Sequence, residues 1–279
     1  MDGTRIGLAL SGGGARGYAH VGVLKVLEEH GIEIDCVAGT SAGALVGGAY
    51  AAGMSIKQLE EFGLSLRWRD FGRMTLSRRG VQSNERVEQY VRAAFPVKRF
   101  EDLRKPFAAV ATDLHTGLAV VMRGEGDVAF AVRASCAVPG WYVPVTDEHG
   151  RQLVDGGLVA NLPSSVARSL GADVVVAVDL NYEGARFLGP PQSAIGFLFQ
   201  TFLVVQRTAA AHQRQAADVC ISPHVGHIRW DEMGRADELI AAGEEATREV
   251  VGQIKQLIEP AEAPSEEPRP LAQPDPQIV

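Results

Sequence analysis

Two short apolar runs near the start of the chain each end in a glycine-bearing loop that continues as a helix. The first run, Ile6–Leu10, leads into Gly12–Gly17, and the second, Cys36–Ala38, leads into Gly39–Gly43. Apolar runs of this length that are bounded by glycine are typical of buried strands. Parallel strands that are joined through helices bring their carboxyl ends to one edge of a sheet. The sequence therefore predicts that both glycine loops open on the same edge.

Strands and helices alternate along most of the remaining chain. The further predicted strands are Phe107–Ala111, Leu118–Met122, Val174–Val178 and Val219–Ser222. The predicted helices are Tyr18–His30, Ala42–Ala52, Asn84–Phe95, Pro163–Leu170, Phe197–Ala217 and Asp237–Ile258. This alternation predicts an α/β fold of three α/β/α layers with a mostly parallel central sheet. One domain is expected over residues 1–258, followed by a disordered tail at 259–279 that holds six prolines and almost no apolar residues.

Charge and cysteine content argue against several classes of protein. A net charge of −7 opposes nucleic acid as a partner, because phosphate binding needs a basic face. The three cysteines, Cys36, Cys136 and Cys220, lie far apart beside apolar or small residues, which predicts reduced thiols and no disulfide or metal framework. The chain lacks a run of about 18 apolar residues and starts without the apolar segment of a signal peptide. A cytoplasmic location is therefore expected.

The second glycine loop contains a candidate nucleophile, Ser41. The segment from Gly39 to Gly43 matches the G-x-S-x-G pattern, in which a serine occupies a tight turn between a strand and a helix. The two glycines permit that crowded turn, and the N-terminus of the following helix stabilises negative charge beside Ser41. The N–H of Ala42 then points toward a developing oxyanion. A small-residue turn that packs a helix against the sheet is the alternative interpretation.

The first glycine loop is open to two interpretations. Gly12–Gly17 also matches the G-x-G-x-x-G pattern of dinucleotide-binding proteins. That function requires an acidic residue at the carboxyl end of the second strand, whereas Asp35 precedes that strand. An oxyanion site fits the loop better, with the N–H groups of Gly13 and Gly14 as donors and Arg16 as a cation that anchors the loop or faces an anion. A nucleotide site stays open as the alternative.

Asp155 is the predicted base for Ser41. It follows a strand-like run, Gln152–Val154, and precedes Gly156 and Gly157. Because Asp-Gly is a strong turn signal, an ordinary turn is the simpler interpretation. The histidines offer no obvious alternative base, although a Ser-Asp-His arrangement that uses a late histidine such as His224 stays open. Partial burial of Asp155 is expected to raise its pKa.

Taken together, these residues resemble the patatin-like phospholipase family, especially its bacterial members related to the catalytic domain of neuropathy target esterase. The resemblance covers roughly residues 5–250 and rests on the three motifs in order, supported by Ala134–Gly140 and Leu170–Asp173. It implies a patatin-like fold, a Ser41–Asp155 dyad in place of a triad, an oxyanion loop at the first glycine stretch, and neither metal nor cofactor. Many members carry Asp where this chain has Ser11, which matters little because the donors are backbone groups.

The resemblance also implies a function. It indicates a lipid acyl hydrolase of phospholipase A or lysophospholipase type, which cleaves carboxylic esters through an acyl-enzyme. A general carboxylesterase or thioesterase stays open, as does a non-catalytic module that only binds lipid. The expected partner is a lipid or acyl ester and not a nucleic acid, and the sequence makes no prediction of oligomeric state.

Two apolar segments are candidate lipid contacts. Residues 67–79 interleave five arginines with Trp68, Phe71, Met74 and Leu76. This composition suits a segment that contacts an anionic membrane or covers the site. A solvated loop whose apolar residues pack on the core is the alternative interpretation. The second segment, Phe197–Val205, forms a broad apolar helical face. Core packing is its main interpretation, and an acyl-chain groove or a dimer face is the alternative.

Overall fold

A central sheet of eight strands organises the part of the chain that the computed structural model describes, residues 3–67, 71–75, 77, 79–182 and 191–258. The strands of this sheet are β1 (Ile6–Leu10), β2 (Cys36–Thr40), β5 (Phe107–Asp113), β6 (Ala119–Arg123), β7 (Val145–Thr146), β8 (Gln152–Asp155), β9 (Val174–Val178) and β10 (Val219–Ile221). A separate two-stranded ribbon consists of β3 (Arg73–Met74) and β4 (Gln82–Ser83). The helices are α1 (Tyr18–Glu29), α2 (Ala42–Ala51), α3 (Ile56–Ser65), α4 (Glu85–Ala94), α5 (Val128–Ser135), α6 (Ser164–Ser169), α7 (Ala194–Gln213) and α8 (Ala236–Ile258).

The strand order of the sheet is β10-β9-β1-β2-β5-β8-β7, and β6 pairs with the other edge of β5. The strands from β10 to β5 run parallel to one another, whereas β6, β8 and β7 are antiparallel to their neighbours. β1, β2 and β9 are buried along their whole length, as expected of parallel strands covered on both faces. The predicted α/β fold with a mostly parallel sheet is confirmed.

The two faces of the sheet carry side chains of different size. Successive residues of a strand point to opposite faces, so each strand contributes to two cores. One face presents larger residues to α1, α2 and α8: Leu8, Leu10, Val37, Val176 and Val178. The other face presents mostly smaller residues to α6 and α7: Ala9, Cys36, Ala38, Val175 and Ala177. Helices therefore cover both faces, which confirms the predicted three layers.

Two helices and the antiparallel strand pairing are absent from the sequence prediction. α3 carries a recognisable start signal, because Ser55 and Gln58 form a reciprocal capping box. α5 spans only eight residues, which is shorter than the window over which an apolar period distinguishes a helix from a strand. The return of β8 along β5 depends on contacts distant in sequence, which no local pattern encodes.

Three of the predicted segments lie wholly or partly outside the described residues. These are the tail at 259–279, most of the Gly/Pro-rich stretch at 184–191, and positions 68–70, 76 and 78 of the basic–aromatic segment. The domain boundary at residue 258 stays a prediction. Among the residues that are described, no helix is both long enough and apolar enough to cross a bilayer.

A matched pair of glycine substitutions tests how closely α1 and α8 pack. A Cβ at Gly243 would lie 2.0 Å from the backbone oxygen of Ala19, whereas a Cβ at Gly252 on the same helix meets nothing within 4 Å. We expect Gly243→Ala to lower the free energy of unfolding by about 2 kcal/mol through overpacking. Gly252→Ala should raise it by up to about 1 kcal/mol, because alanine favours the helix. Urea unfolding measures both, and equal effects would contradict this packing.

Candidate active site

Ser41 lies in a strained turn between β2 and α2. It is the N-cap residue of α2, and its φ of 54° is the only positive value among the described residues other than glycine. Such a conformation costs free energy and persists where the surrounding structure enforces it. A Cβ at Gly39 would lie 2.3 Å from the oxygen of Gly43, and one at Gly43 would lie 2.1 Å from the oxygen of Leu10. Glycine is therefore the only residue that fits at position 39 and at position 43.

Ser135 fixes this turn from the neighbouring helix α5. The backbone N–H of Ser41 donates to Ser135 Oγ at 2.8 Å, and that hydroxyl donates to the oxygen of Val110 at 2.6 Å. The relay ties the strained residue to β5 and orients the serine. The sequence prediction gave Ser135 no role of its own. The only available signal was its place in the Ala134–Gly140 segment.

Asp155 reaches Ser41 because β2 and β8 share one edge of β5. β2 pairs with residues up to Val110, and β8 continues along the same edge from Ala111. Because the two strands run in opposite directions, their carboxyl ends meet. Thr40 is the partner of Val110, and Asp155 is the partner of the next residue, Ala111. Residues distant in sequence are thereby brought to one point of the sheet.

The Asp155 carboxyl is completely buried. Its Oδ1 accepts a hydrogen bond from the N–H of Gly157 at 2.8 Å. No donor of the described chain lies in hydrogen-bonding geometry to its Oδ2. The Ser41 hydroxyl is nevertheless close enough to act on the ionisation of the carboxyl. Burial raises the pKa of Asp155 to about 7, and the Ser41 hydroxyl and the Gly157 N–H oppose that rise. A base with such a pKa is partly ionised at neutral pH and accepts protons well.

The first glycine loop lines the same cavity as Ser41 and includes backbone N–H groups without an acceptor in the described chain. The N–H of Gly12 donates to Asn161 and that of Ala15 to Trp230, at 3.2 and 2.7 Å. Gly14 adopts a φ of 60°, with the Trp230 oxygen 2.5 Å from where a Cβ would lie. The N–H groups of Gly13 and Gly14 have no acceptor within the described chain. That of Ala42 is likewise unpaired, as expected in the first turn of a helix.

The remaining loop residues have mainly structural contacts. Arg16 is buried, and its Nε donates to the oxygen of Ile228 at 2.7 Å, so it anchors the loop to the segment before α8. Gly17 is the N-cap residue of α1, and a Cβ there would lie 2.7 Å from that of Ala42. Gly156 packs against β5, where a Cβ would lie 2.3 Å from the Val110 oxygen.

These groups surround one cavity of about 140 Å³, called here the active-site cavity. Ser41, Asp155 and the loop from Gly13 to Gly17 form its polar end. Apolar and aromatic side chains line most of the remainder, among them Val138, Trp141, Phe199, Phe202, Leu203 and Trp230. A dry apolar cavity of about 150 Å³ is large enough for benzene, so this volume accommodates a small apolar group.

The structure disfavours the two competing sequence interpretations. Within the described chain, no histidine lines the active-site cavity, and His224 is exposed. Asp35 accepts the N–H of Ile6 at 2.6 Å, at the amino end of β1 and therefore away from the glycine loop. No group of three potential metal ligands occurs among the described residues.

Burial of Asp155 makes protein stability depend on pH. An aspartate in the unfolded chain has a pKa of about 4, whereas Asp155 in the folded chain has a pKa of about 7. The folded state therefore binds the proton more tightly, and the free energy of unfolding falls as the pH rises from 4 to 7. Above pH 7 the buried charge costs roughly 4 kcal/mol. We expect Asp155→Asn to be more stable than the wild type at pH 8 and equally stable near pH 4. Urea unfolding at pH 8 and pH 4 measures the free energy of unfolding of both proteins. The same difference between variant and wild type at the two pH values would contradict the raised pKa.

Comparison with known proteins places the chain in a family. The patatin-like phospholipase family profile matches residues 8–168. An uncharacterised NTE family protein of Mycobacterium tuberculosis is 39% identical over 193 residues, covering 68% of this chain and 52% of that protein. Human patatin-like phospholipase domain-containing protein 6 is 35% identical over 192 residues, covering 64% of this chain and 14% of that protein.

A solved structure supports the fold. The structure of VipD from Legionella pneumophila superimposes with a TM-score of 0.54 at 16% identity, covering 90% of this chain and 67% of that chain. At that identity the similarity concerns the fold alone. The chain spans about half the length of the mycobacterial relatives that it matches. Because the family profile covers more than half of the chain, including the first glycine loop, Ser41 and Asp155, the chain belongs to the patatin-like phospholipase family.

Proposed function

We propose that this protein is a lipid acyl hydrolase that cleaves phospholipid or lysophospholipid esters through a Ser41–Asp155 dyad. The observation that supports the proposal best is the burial of Asp155 beside Ser41, with one carboxyl oxygen unpaired and the pKa raised to about 7. An ordinary turn residue would be solvated and would keep a low pKa. Membership of the family agrees with lipid as the substrate class.

The proposed reaction begins with proton transfer from Ser41 to Asp155. As Oγ attacks the ester carbonyl carbon, the N–H groups of Gly13, Gly14 and Ala42 stabilise the negative oxygen of the tetrahedral intermediate. One such donor is typically worth about 3 kcal/mol. The intermediate collapses, and the alcohol leaves with the proton from Asp155. The product is an acyl ester of Ser41.

Water completes the cycle in the second half of the reaction. Asp155 accepts a proton from the water as it attacks the acyl-enzyme, and a second tetrahedral intermediate forms at the same donors. Collapse releases the fatty acid and returns the proton to Ser41 Oγ. Trp141, Phe199 and Trp230 line the cavity on the side where the acyl chain would lie.

A fluorophosphonate probe and a panel of defined lipids test this function. We expect the probe to label the wild-type protein and fail to label Ser41→Ala. Mass spectrometry should detect fatty acid released from phospholipid or lysophospholipid. Release only from short-chain esters or thioesters would assign a general esterase or thioesterase. A protein that binds lipid but neither reacts with the probe nor releases fatty acid would be a non-catalytic module, and the proposal would fail.

A further inference from the structure

The helix α7 has an exposed apolar stripe that its core packing does not explain. Phe202 and Gln206 face inward and are 6% and 4% exposed. Four apolar residues of α7 are instead 62%, 57%, 60% and 38% exposed: Phe197, Leu198, Val204 and Val205. Phe197 and Val204 lie opposite Phe202 and Gln206, whereas Leu198 and Val205 lie three or four residues from Phe202 and flank it. These four exposed residues are called here the outer face of α7. The sequence prediction of core packing is therefore right for the inner face and wrong for the outer face. Contiguous exposed apolar surface of this kind marks an interaction site.

The outer face adjoins the mouth of the active-site cavity. Leu203 and Arg207 of α7 line the cavity and lie between Gln206 on the inner face and Val204 on the outer face. The Phe199 ring lies 4.4 Å from the Trp230 ring, which in turn lies 6.0 Å from Trp141, measured between ring centroids. Both tryptophans are half-buried and line the cavity. Tryptophan is favoured where an apolar phase meets water, so this rim suits a lipid–water boundary.

The charge of α7 is suited to phosphate groups. The segment 191–217 contains no Asp or Glu, although the whole chain has a net charge of −7. Arg207 is exposed, lines the cavity, and has no ion pair or hydrogen bond within the described residues. An exposed arginine at the rim of an apolar cavity is placed to contact an anion outside it.

We propose that the outer face of α7 docks on a phospholipid membrane, with Arg207 against the lipid phosphates. The cavity mouth then opens toward the bilayer, and an acyl chain moves from one apolar environment to another. This inference rests on the proposed function for its choice of a lipid surface. A second copy of the chain fits the face less well, because a two-fold contact brings the same basic, acid-free surface against itself.

Vesicle flotation with the full chain carrying Ser41→Ala tests the docking without turnover. The vesicles contain phosphatidylcholine alone or phosphatidylcholine with phosphatidylglycerol. Adding Phe197→Asp and Val204→Asp should weaken binding by about tenfold or more, because two apolar side chains no longer enter the bilayer. Arg207→Gln should weaken binding to the anionic vesicles by about fivefold, with a smaller effect on phosphatidylcholine alone. Leu118→Asp, at a residue 68% exposed between β5 and β6 that does not line the cavity, is the matched control and should bind normally.

Three outcomes would overturn the docking surface. The first is unchanged flotation of the Phe197→Asp/Val204→Asp protein. The second is loss of binding only when Arg73 and Arg79 of the basic–aromatic segment are changed to Gln. The third is a dimer in light scattering that the double substitution dissociates, which would make the face a contact between copies.

A water-soluble short-chain ester separates this proposal from the proposed function. With Ser41 intact, the Phe197→Asp/Val204→Asp protein should hydrolyse that ester at the wild-type rate while losing activity on vesicle lipids, because neither residue lines the cavity. A different outcome is a wild type that hydrolyses no ester and yet floats with the vesicles in a way that the Phe197→Asp/Val204→Asp substitutions abolish. In that case the proposed function fails and the docking surface stands.

Discussion

Ser41→Ala is expected to reduce fatty-acid release by about 10⁶-fold, to the background rate, because the substitution removes the atom that attacks the ester in the proposed reaction. The fold should persist, since alanine keeps the Cβ of serine and the backbone N–H that donates to Ser135. Titration of released fatty acid measures the rate, and circular dichroism verifies the fold. Ser165→Ala, an exposed serine on α6, is the matched control and should retain full activity. Activity in Ser41→Ala equal to that of the wild type would exclude Ser41 as the nucleophile.

Asp155→Asn is expected to reduce the rate by about 10⁴-fold, because an amide cannot accept the serine proton. The amide oxygen can still accept the Gly157 N–H, so the site should keep its shape. The side chain to compare is His224, the base of the alternative Ser-Asp-His arrangement. His224→Ala should retain wild-type activity. If His224→Ala lost activity and Asp155→Asn retained it, the dyad would be wrong.

The pH dependence of the rate follows from the same carboxyl. Only the ionised form of Asp155 accepts a proton, and its pKa is about 7. The wild-type kcat/KM should therefore rise with pH up to about 7 and level off above it. Asp155→Asn should show no such step in its residual activity. A wild-type profile that is already level at pH 5 would contradict a buried base.

Local sequence patterns were sufficient to predict the layered fold and the tight turn that holds Ser41. Strand β1 and its glycine loop, and β2 with Gly39–Gly43, are recognisable because a short apolar run, a glycine-rich turn and a helix follow one another directly. The position of Asp35 before its strand was also visible, and Asp35 lies at the amino end of the sheet. The helix α5 escaped prediction because it spans only eight residues, too few for an apolar period to identify a helix.

The outer face of α7 shows where such patterns fail. Phe197, Phe202 and Val204 look alike in the sequence, but Phe202 is buried and the other two are exposed. Phe202 lines the active-site cavity and Ala210 packs against the smaller residues of the second sheet face, so contacts distant in sequence decide which side of α7 is buried. Residue identity does not specify that orientation.

The sequence by itself determined the order of strands and helices, the glycine turns, and Ser41 and Asp155 as candidate residues, because each depends on neighbours along the chain. Only the tertiary structure decided that the two residues meet. That meeting requires β2 and β8 to share one edge of β5 in opposite directions, with Ser135 tying Ser41 to Val110. The raised pKa of Asp155 also comes from the tertiary structure, because burial is a property of everything packed around a carboxyl and not of the aspartate alone.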